Sequence, residues 1–238
     1  MKWPKRLVIV RHGESVQNAI LDLEEANLEK KVIDMKKIRD MDIDLTNVGE
    51  WQATQTGIYL AKTEPFDICF YSPYRRTRRT AELIVAEFHY DLKFFADERL
   101  REKEFGKLHG HTTEEIKEKY RDEFEARERD GKYWYRLLGG ENYPDVRQRM
   151  HSFSDKLVRD YSGKNILIVT HHVPYLLFRA QFEHLGEEEV LGLEGMPNCA
   201  IQEYEIDFSV SEEGRMKKIK YNKTAYDMSK APERKIKV

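Results

Sequence analysis

Two histidines in this chain each follow a short apolar segment directly. Leu7–Val10 leads into Arg11 and His12, and Ile166–Thr170 leads into His171. Each segment predicts a buried parallel strand, and in open α/β sheets ligands bind beyond the carboxyl ends of such strands. Two histidines at one sheet edge, with an arginine beside the first, suit the transfer of an anionic group.

Either histidine alone is weak support for a functional site, because a polar residue often follows a strand where the chain reaches solvent. Four further segments add side chains suited to anion chemistry: Asn18, Ser72–Ala81 with Arg76, Leu100–Gly106 with Glu102, and Gly139–Asn142. Within the second segment we interpret Arg75, Arg78 and Arg79 as surface charges. The combination, rather than any one residue, favours a catalytic site.

Strand patterns alternate with helix patterns along the chain. Strands are predicted at Leu7–Val10, Ile68–Tyr71, Leu92–Phe95, Ile166–Thr170 and Ala200–Ile206. Helices are predicted at Leu45–Lys62, Arg76–His89, Thr112–Arg129, Asn142 to about Tyr161, and Val173–Phe182. This alternation predicts an α/β fold with three layers, α/β/α, around a mainly parallel central sheet.

No internal repeat or Gly/Ser linker divides the chain, so we predict a single catalytic domain over residues 1–238. Residues 107–141 are very polar and are predicted to form a lid-like insertion. Residues 215–238 are basic and are predicted to form a solvated tail, partly packed on the domain. The charged segment Ala19–Asp44 has irregularly spaced apolar residues, and we interpret it as a long excursion near the site.

Composition argues against several classes of protein. The net charge is −2, which gives no global sign of nucleic-acid or membrane binding. There is no run of 18 apolar residues, and the first apolar segment is too short for a signal peptide. We therefore predict a cytoplasmic protein. Cys69 and Cys199 stand among apolar residues, which favours two buried small side chains over a disulfide or a metal pair.

Four motifs carry a resemblance to a known family. They are Arg11–Glu14, Ser72–Ala81, Leu100–Gly106 and Val169–His171, and they occur in the family's order between Leu7 and about Ile206. With them the chain resembles the histidine phosphatase superfamily, whose fold is phosphoglycerate-mutase-like. The amino-acid sequences of the second and third motifs are most similar to those of a plant and fungal group of mutase-like phosphatases.

The resemblance implies a role for each matching position. His12 would be the nucleophile that becomes phosphohistidine, and Glu102 would be the general acid that later activates water. The phosphoryl oxygens would be held by Arg11, Asn18, Arg76, His171 and the backbone of His172. His172 departs from the family, which usually has glycine there, and adds a titratable side chain near the pocket.

Phosphoryl transfer requires these residue types independently of the resemblance. Arginine offers a fixed fork of donors that matches phosphate, so two arginines and a histidine can replace a metal ion. Positive neighbours disfavour the imidazolium form of His12, which leaves it nucleophilic near neutral pH. The same arginines are expected to favour the charged form of Glu102, which therefore predicts an acidic optimum.

The sequence thus predicts a metal-independent phosphatase that needs no cofactor and acts on a phosphorylated small molecule. The alternative within the family is a phosphoglycerate mutase. Alternatives from other classes are an inactive binding module and a metallohydrolase, since His109-Gly110-His111 resembles the start of a metal motif. Neither nucleic acid nor membrane is expected as a partner, and the oligomeric state is left open, with a dimer as one option.

Overall fold

The structure is a computed structural model that describes residues 2–25, 34–193, 195–209, 211–212 and 214–236. Its sheet contains the strands β1 (Arg6–Arg11), β2 (Ile68–Tyr71), β3 (Lys93–Ala96), β4 (Asn165–Thr170), β5 (Ile201–Asp207) and β6 (Arg215–Lys223). The strand order is β3-β2-β4-β1-β5-β6. The first four strands are parallel, and β5 and β6 are antiparallel additions at one edge.

Helices cover both faces of this sheet. Within the described residues they are α1 (Val16–Glu25), α2 (Asn47–Leu60), α3 (Arg75–Ala86), α4 (Thr113–Lys119), α5 (Arg121–Trp134), α6 (Tyr143–Asp160), α7 (His172–Glu183) and α8 (Glu187–Leu191). Along β1, Leu7 and Ile9 join the core formed with α6 and α7, whereas Val8 and Val10 join the core formed with α2 and α3. The predicted three-layer α/β/α fold with a mainly parallel sheet is therefore confirmed.

Helix starts agree with the capping residues in the sequence. The Thr46 hydroxyl accepts a hydrogen bond from the Gly49 N–H (3.0 Å) at the start of α2. At α6 the Asn142 side chain accepts from the Asp145 N–H (2.9 Å), and the Asp145 carboxylate accepts in return from the Asn142 N–H (3.0 Å). Such caps satisfy N–H groups that have no partner within the helix.

The insertion differs from its prediction. The capping box at Thr112 and Glu115 is present, but a continuous helix Thr112–Arg129 is wrong, because α4 and α5 meet at a break. Tyr120 adopts non-helical dihedrals there (φ −133°, ψ 49°), and its ring packs edge-on against His111 with 5.1 Å between centroids. The partly buried Tyr120 ring also packs against the small apolar cluster of Leu108, Tyr135 and Leu137.

The basic segment after Gly214 was predicted to be a solvated tail partly packed on the domain, and its residues Arg215–Lys223 pack as a regular strand that the sequence analysis did not predict. These residues form β6, which pairs with β5 and buries Met216. Lys220 and Arg6 both contact the carboxylate of buried Glu203, and Arg6 Nε lies 2.6 Å from it. Further on, Arg234 donates to Glu14 (2.7 Å), two residues beyond His12.

Two glycines let the loop after β1 lie against the start of α2. A Cβ atom on Gly13 would lie 2.4 Å from the Gly49 carbonyl oxygen, and one on Gly49 would lie 2.1 Å from the Glu14 carbonyl oxygen. Both distances are far shorter than a carbon atom tolerates. The backbone on either side of His12 is therefore held in place by contacts that only glycine allows at these positions.

Two composition-based predictions can be compared with the structure. Cys69 and Cys199 are buried and free, as predicted. No helix in the described ranges combines the length and the apolar character needed to cross a membrane. Of the charged excursion, Leu28, Val32 and Ile33 lie outside the described residues, whereas residues 34–44 run beside the sheet edge that carries the histidines.

Candidate active site

The two histidines meet at the carboxyl edge of the sheet. Arg11 is in register with Thr170, and the N–H of His12 donates to the Thr170 carbonyl (2.9 Å). The rings of His12 and His171 consequently lie with their centroids 5.2 Å apart. Both are buried, since His12 is 4% exposed and His171 is 0% exposed.

His12 is held as a neutral imidazole with a defined tautomer. Its Nδ1 atom lies 2.7 Å from the carbonyl oxygen of Gly13, which can only accept, so Nδ1 carries the proton and Nε2 keeps a lone pair. Burial, followed by the charges of Arg76 and Arg11, lowers the pKa of His12 well below 6.5. The prediction of a neutral His12 is confirmed, with burial as the larger cause.

His171 lies between two residues of the Ser-Pro-Tyr turn. Its Nε2 atom is 2.8 Å from the Ser72 hydroxyl, and the Tyr74 ring packs on it with centroids 5.0 Å apart. Its Nδ1 atom is buried and has no hydrogen-bond partner among the described residues. Burial and the charge of Arg76 also lower the pKa of His171 well below 6.5.

Arg76 is paired with a carboxylate that the sequence did not single out. Its Nη1 atom donates to the Asp40 carboxylate (2.8 Å) and to the Asp40 carbonyl (2.6 Å). The Arg76 side chain is 4% exposed and that of Asp40 is 12% exposed. Tyr74 packs its ring beneath the guanidinium, 5.0 Å from the centroid. Any anion that binds Arg76 therefore competes with the Asp40 carboxylate.

Arg11 and Asn18 each have one polar group that is held by other residues of the chain. Arg11 Nη1 donates to the Met196 carbonyl, while its Nε atom is buried without a partner among the described residues. The Asn18 Oδ1 atom accepts from the Ser15 hydroxyl (2.9 Å) and from the Asn198 amide (3.1 Å). Since Oδ1 is occupied in this way, the side-chain NH2 of Asn18 is the group left to donate to an anion.

Glu102 lies at the N-terminus of α7, 9% exposed. One carboxylate oxygen accepts from the N–H groups of Lys103 (2.7 Å) and Val173 (3.1 Å), and the other accepts from the N–H of His172 (3.0 Å). Burial nevertheless raises the pKa of Glu102 above 4.5, with these bonds and Arg76 opposing it. The expectation that arginines hold Glu102 charged is thus wrong in direction, because desolvation is the larger effect.

His172 is positioned differently from what the resemblance implied. The backbone N–H expected to contact phosphate donates to Glu102 in this structure. Its side chain is partly buried, and burial, followed by the charges of Arg11 and Lys132, lowers the pKa of His172 to about 4. The histidine that replaces the family's glycine is therefore neutral near pH 7.

The His109-Gly110-His111 segment does not gather metal ligands in the described part of the chain. His109 Nε2 lies 3.1 Å from the Ile38 carbonyl, and His111 Nδ1 lies 3.3 Å from the His109 carbonyl. No cluster of three or more His, Cys, Asp or Glu side chains suited to a metal ion occurs among the described residues.

Sequence reasoning brought together His12, His171, Arg11, Arg76, Asn18 and Glu102, and the structure places all six at one sheet edge. It missed Asp40, Ser72, Tyr74 and Asn198 as parts of the site. Ser72 and Tyr74 stand inside a quoted motif, so attention to every polar side chain of that motif would have found them. Asp40 and Asn198 carry no local signal, since both reach the site from distant segments.

Comparison with known proteins agrees with this geometry. The family model of the histidine phosphatase superfamily (branch 1) matches residues 7–217. The chain belongs to this superfamily. A phosphoglycerate mutase-like protein of Arabidopsis thaliana is 30% identical over 85% of this chain and 65% of its own length, so the chain spans just under two thirds of that relative.

Two other similarities bear on fold and activity. A 2,3-bisphosphoglycerate-dependent phosphoglycerate mutase of Methylobacterium is 32% identical over 79% of this chain and 85% of its own length. The solved structure of a mycobacterial glucosyl-3-phosphoglycerate phosphatase with inorganic phosphate has a TM-score of 0.68 at 22% identity, covering 93% of this chain and 98% of that one. The second shows the common fold.

Replacing Asp40 should change the affinity of the site for anions. Asp40→Asn removes the charge that neutralises Arg76 while keeping an acceptor of similar shape, so inorganic phosphate should bind about tenfold more tightly. Isothermal titration calorimetry with phosphate, and with vanadate, measures this directly. Asp42→Asn is the matched control, because Asp42 pairs with Arg39 on the surface. Unchanged or weaker binding in Asp40→Asn would contradict the competition.

Proposed function

We propose that this protein is a metal-independent phosphatase that hydrolyses phosphomonoesters through a phosphohistidine at His12. The observation that carries the proposal is the neutral His12 with its Nε2 lone pair, surrounded by Arg11, Arg76 and His171. An unprotonated nitrogen beside the buried guanidinium of Arg76 and the partly buried one of Arg11 suits attack on a phosphoryl group whose oxygens need positive partners.

In the first step His12 Nε2 forms a bond to phosphorus as the ester P–O bond breaks, and protonated Glu102 gives its proton to the leaving oxygen. In the second step a water attacks phosphorus, its proton goes to Glu102, and the N–P bond breaks to release inorganic phosphate. Arg11 and Arg76 stabilise the charge on the equatorial oxygens in both steps. Arg76 exchanges Asp40 for the phosphoryl group when substrate binds.

The proposed partner is a phosphorylated small molecule, and the proposed location is the cytoplasm. Free, buried Cys69 and Cys199 support a reducing compartment. The insertion between residues 107 and 141, which contains α4 and α5, is proposed to act as the lid over the site. The phosphate-binding groups already carry the positive charge that a metal would supply, which supports metal independence.

His12→Ala should abolish hydrolysis of 4-nitrophenyl phosphate and the acid-labile phosphoenzyme together, because the nucleophile is gone. Rapid quenching with a radiolabelled ester measures the phosphoenzyme. His89→Ala, which changes an exposed histidine, is the control. Turnover by His12→Ala at the wild-type rate would contradict the mechanism.

Wild-type activity should survive exhaustive EDTA treatment, because no metal ion takes part in the proposed reaction. Loss of activity on chelation, with recovery on added zinc, would instead favour a metallohydrolase.

The pH profile should be set by Glu102. Only its protonated form is an acid, and its pKa is raised above 4.5, so kcat/KM for glycerol phosphate should fall as pH rises through that raised pKa. Protonation of His12 should lower kcat/KM only well below pH 6.5, because its pKa is lowered well below that value. Glu102→Gln should remove the fall in kcat/KM at rising pH and should lower kcat/KM itself by about 100-fold or more.

The leaving group distinguishes this role from a structural one. Because 4-nitrophenolate departs without a proton, Glu102→Gln should slow 4-nitrophenyl phosphate far less than glycerol phosphate. Equal losses on both substrates would remove the acid role from Glu102.

Phosphate release, rather than isomerisation, should dominate with phosphoglycerate. A mutase must exclude water from its phosphoenzyme while the product reorients, and the family's mutases do so beneath a longer, proline-rich lid. The insertion here contains no proline. With 3-phosphoglycerate and a bisphosphoglycerate primer, we expect phosphate to appear and 2-phosphoglycerate to stay negligible in a coupled assay. Isomerisation well above phosphate release would instead identify a mutase.

A further inference from the structure

A cavity of about 350 Å3 lies where the loop after Glu102 and the first turn of α7 meet the insertion. Lys103, His172 and Val173 contribute to its lining, and the backbone N–H groups of the same three residues donate to the Glu102 carboxylate. The cavity therefore adjoins the group to which we assign protonation of the leaving oxygen.

Much of the lining is apolar. The contributing side chains include Phe105, Leu108, Ile116, Phe124 and Leu137. Cavities of about 300–1,000 Å3 accommodate small organic ligands, so the space is sufficient for a single ring with a substituent. A ring that covers these side chains removes apolar surface from water, whereas a short polyol would leave that surface wet.

The charged groups in the lining are mostly positive. Lys103, Arg127 and Lys132 face one acid, Glu123, whose carboxylate accepts from the hydroxyl of Tyr135. Neither Arg127 nor Lys132 forms an ion pair within the described part of the chain. Burial lowers the pKa of Lys103 to about 8, a sign that this cation lacks full compensation. An anionic group in the cavity would supply it.

We propose that this cavity holds the leaving group of the substrate, and that this group is an apolar ring carrying an anionic substituent. The proposal rests on the proposed function, because the ester oxygen must lie within reach of Glu102. The apolar lining selects the ring, and Arg127 and Lys132 select the anion. His172, which the family usually lacks, lines the cavity on the Glu102 side and contributes a neutral aromatic surface.

Two aryl phosphates test the charge preference directly. In 4-(carboxymethyl)phenyl phosphate and 4-(2-hydroxyethyl)phenyl phosphate a methylene separates the substituent from the ring, so the two phenols leave with similar ease. Wild-type kcat/KM should favour the carboxylate by at least about tenfold, the effect of one charge-assisted hydrogen bond. In Arg127→Ala/Lys132→Ala the ratio should fall to near one. Glycerol phosphate should be a poorer substrate than either.

The matched control is Lys119→Ala/Arg129→Ala, which removes the same two charges from exposed positions of α4 and α5. This control should keep the wild-type ratio, which separates a local contact from the general loss of positive charge. A ratio near one in the wild type would overturn the proposal. So would a ratio that the Arg127/Lys132 double variant leaves unchanged, or turnover of glycerol phosphate as efficient as that of the aryl esters.

Failure of the phosphatase assignment would look different, since no ester would be hydrolysed and no phosphoenzyme would form. The cavity is then tested without catalysis, by titrating 4-hydroxyphenylacetate and 4-(2-hydroxyethyl)phenol calorimetrically. The wild type should bind the acid about tenfold more tightly than the alcohol, and the Arg127/Lys132 double variant should bind both equally. Equal binding in the wild type would overturn the cavity proposal on its own.

Discussion

Parallel pairing around β4 determines where the chemistry of this protein can lie. On one side β4 is in register with β1, and the ladder ends with the His12 N–H on the Thr170 carbonyl (2.9 Å). On the other side it pairs with β2, and the Ser72 N–H donates to the Val169 carbonyl (3.1 Å). Three neighbouring strands thus each deliver a polar residue at the same height, and His171 lies between the other two.

This arrangement concentrates positive charge in a buried place, and the protein moderates it in two ways. Burial keeps both imidazoles neutral, so the lasting charges are those of Arg11 and Arg76. Asp40, in the short 3-10 helix Asp40–Asp42, then balances the charge of Arg76. A buried unpaired charge destabilises a fold by several kcal/mol, so the Asp40 carboxylate stabilises the fold by compensating the charge of Arg76.

Much of this could be predicted from sequence because the signals are local. An apolar run followed by His12 or His171 fixes both the strand and the height of the histidine, and caps such as Asn142 mark helix starts. Asp40 could not be predicted, since its contact with Arg76 depends on how a long irregular segment folds back. The strand β6 was missed because its lysines suggest solvent, although Met216 within it is buried and Lys220 pairs with Glu203 on the neighbouring strand β5.

The raised pKa of Glu102 shows why counting charges from the sequence gave the wrong direction for its shift. Counting charges gives two arginines near one carboxylate, which predicts a lowered pKa. The Glu102 carboxylate is enclosed by its own loop and by α7, however, and its loss of hydration raises the pKa by more than attraction to Arg76 lowers it. The N–H groups that enclose it belong to Lys103, His172 and Val173, which also line the neighbouring cavity. A leaving group in that cavity would exclude the remaining water from Glu102 and disfavour its charged form further.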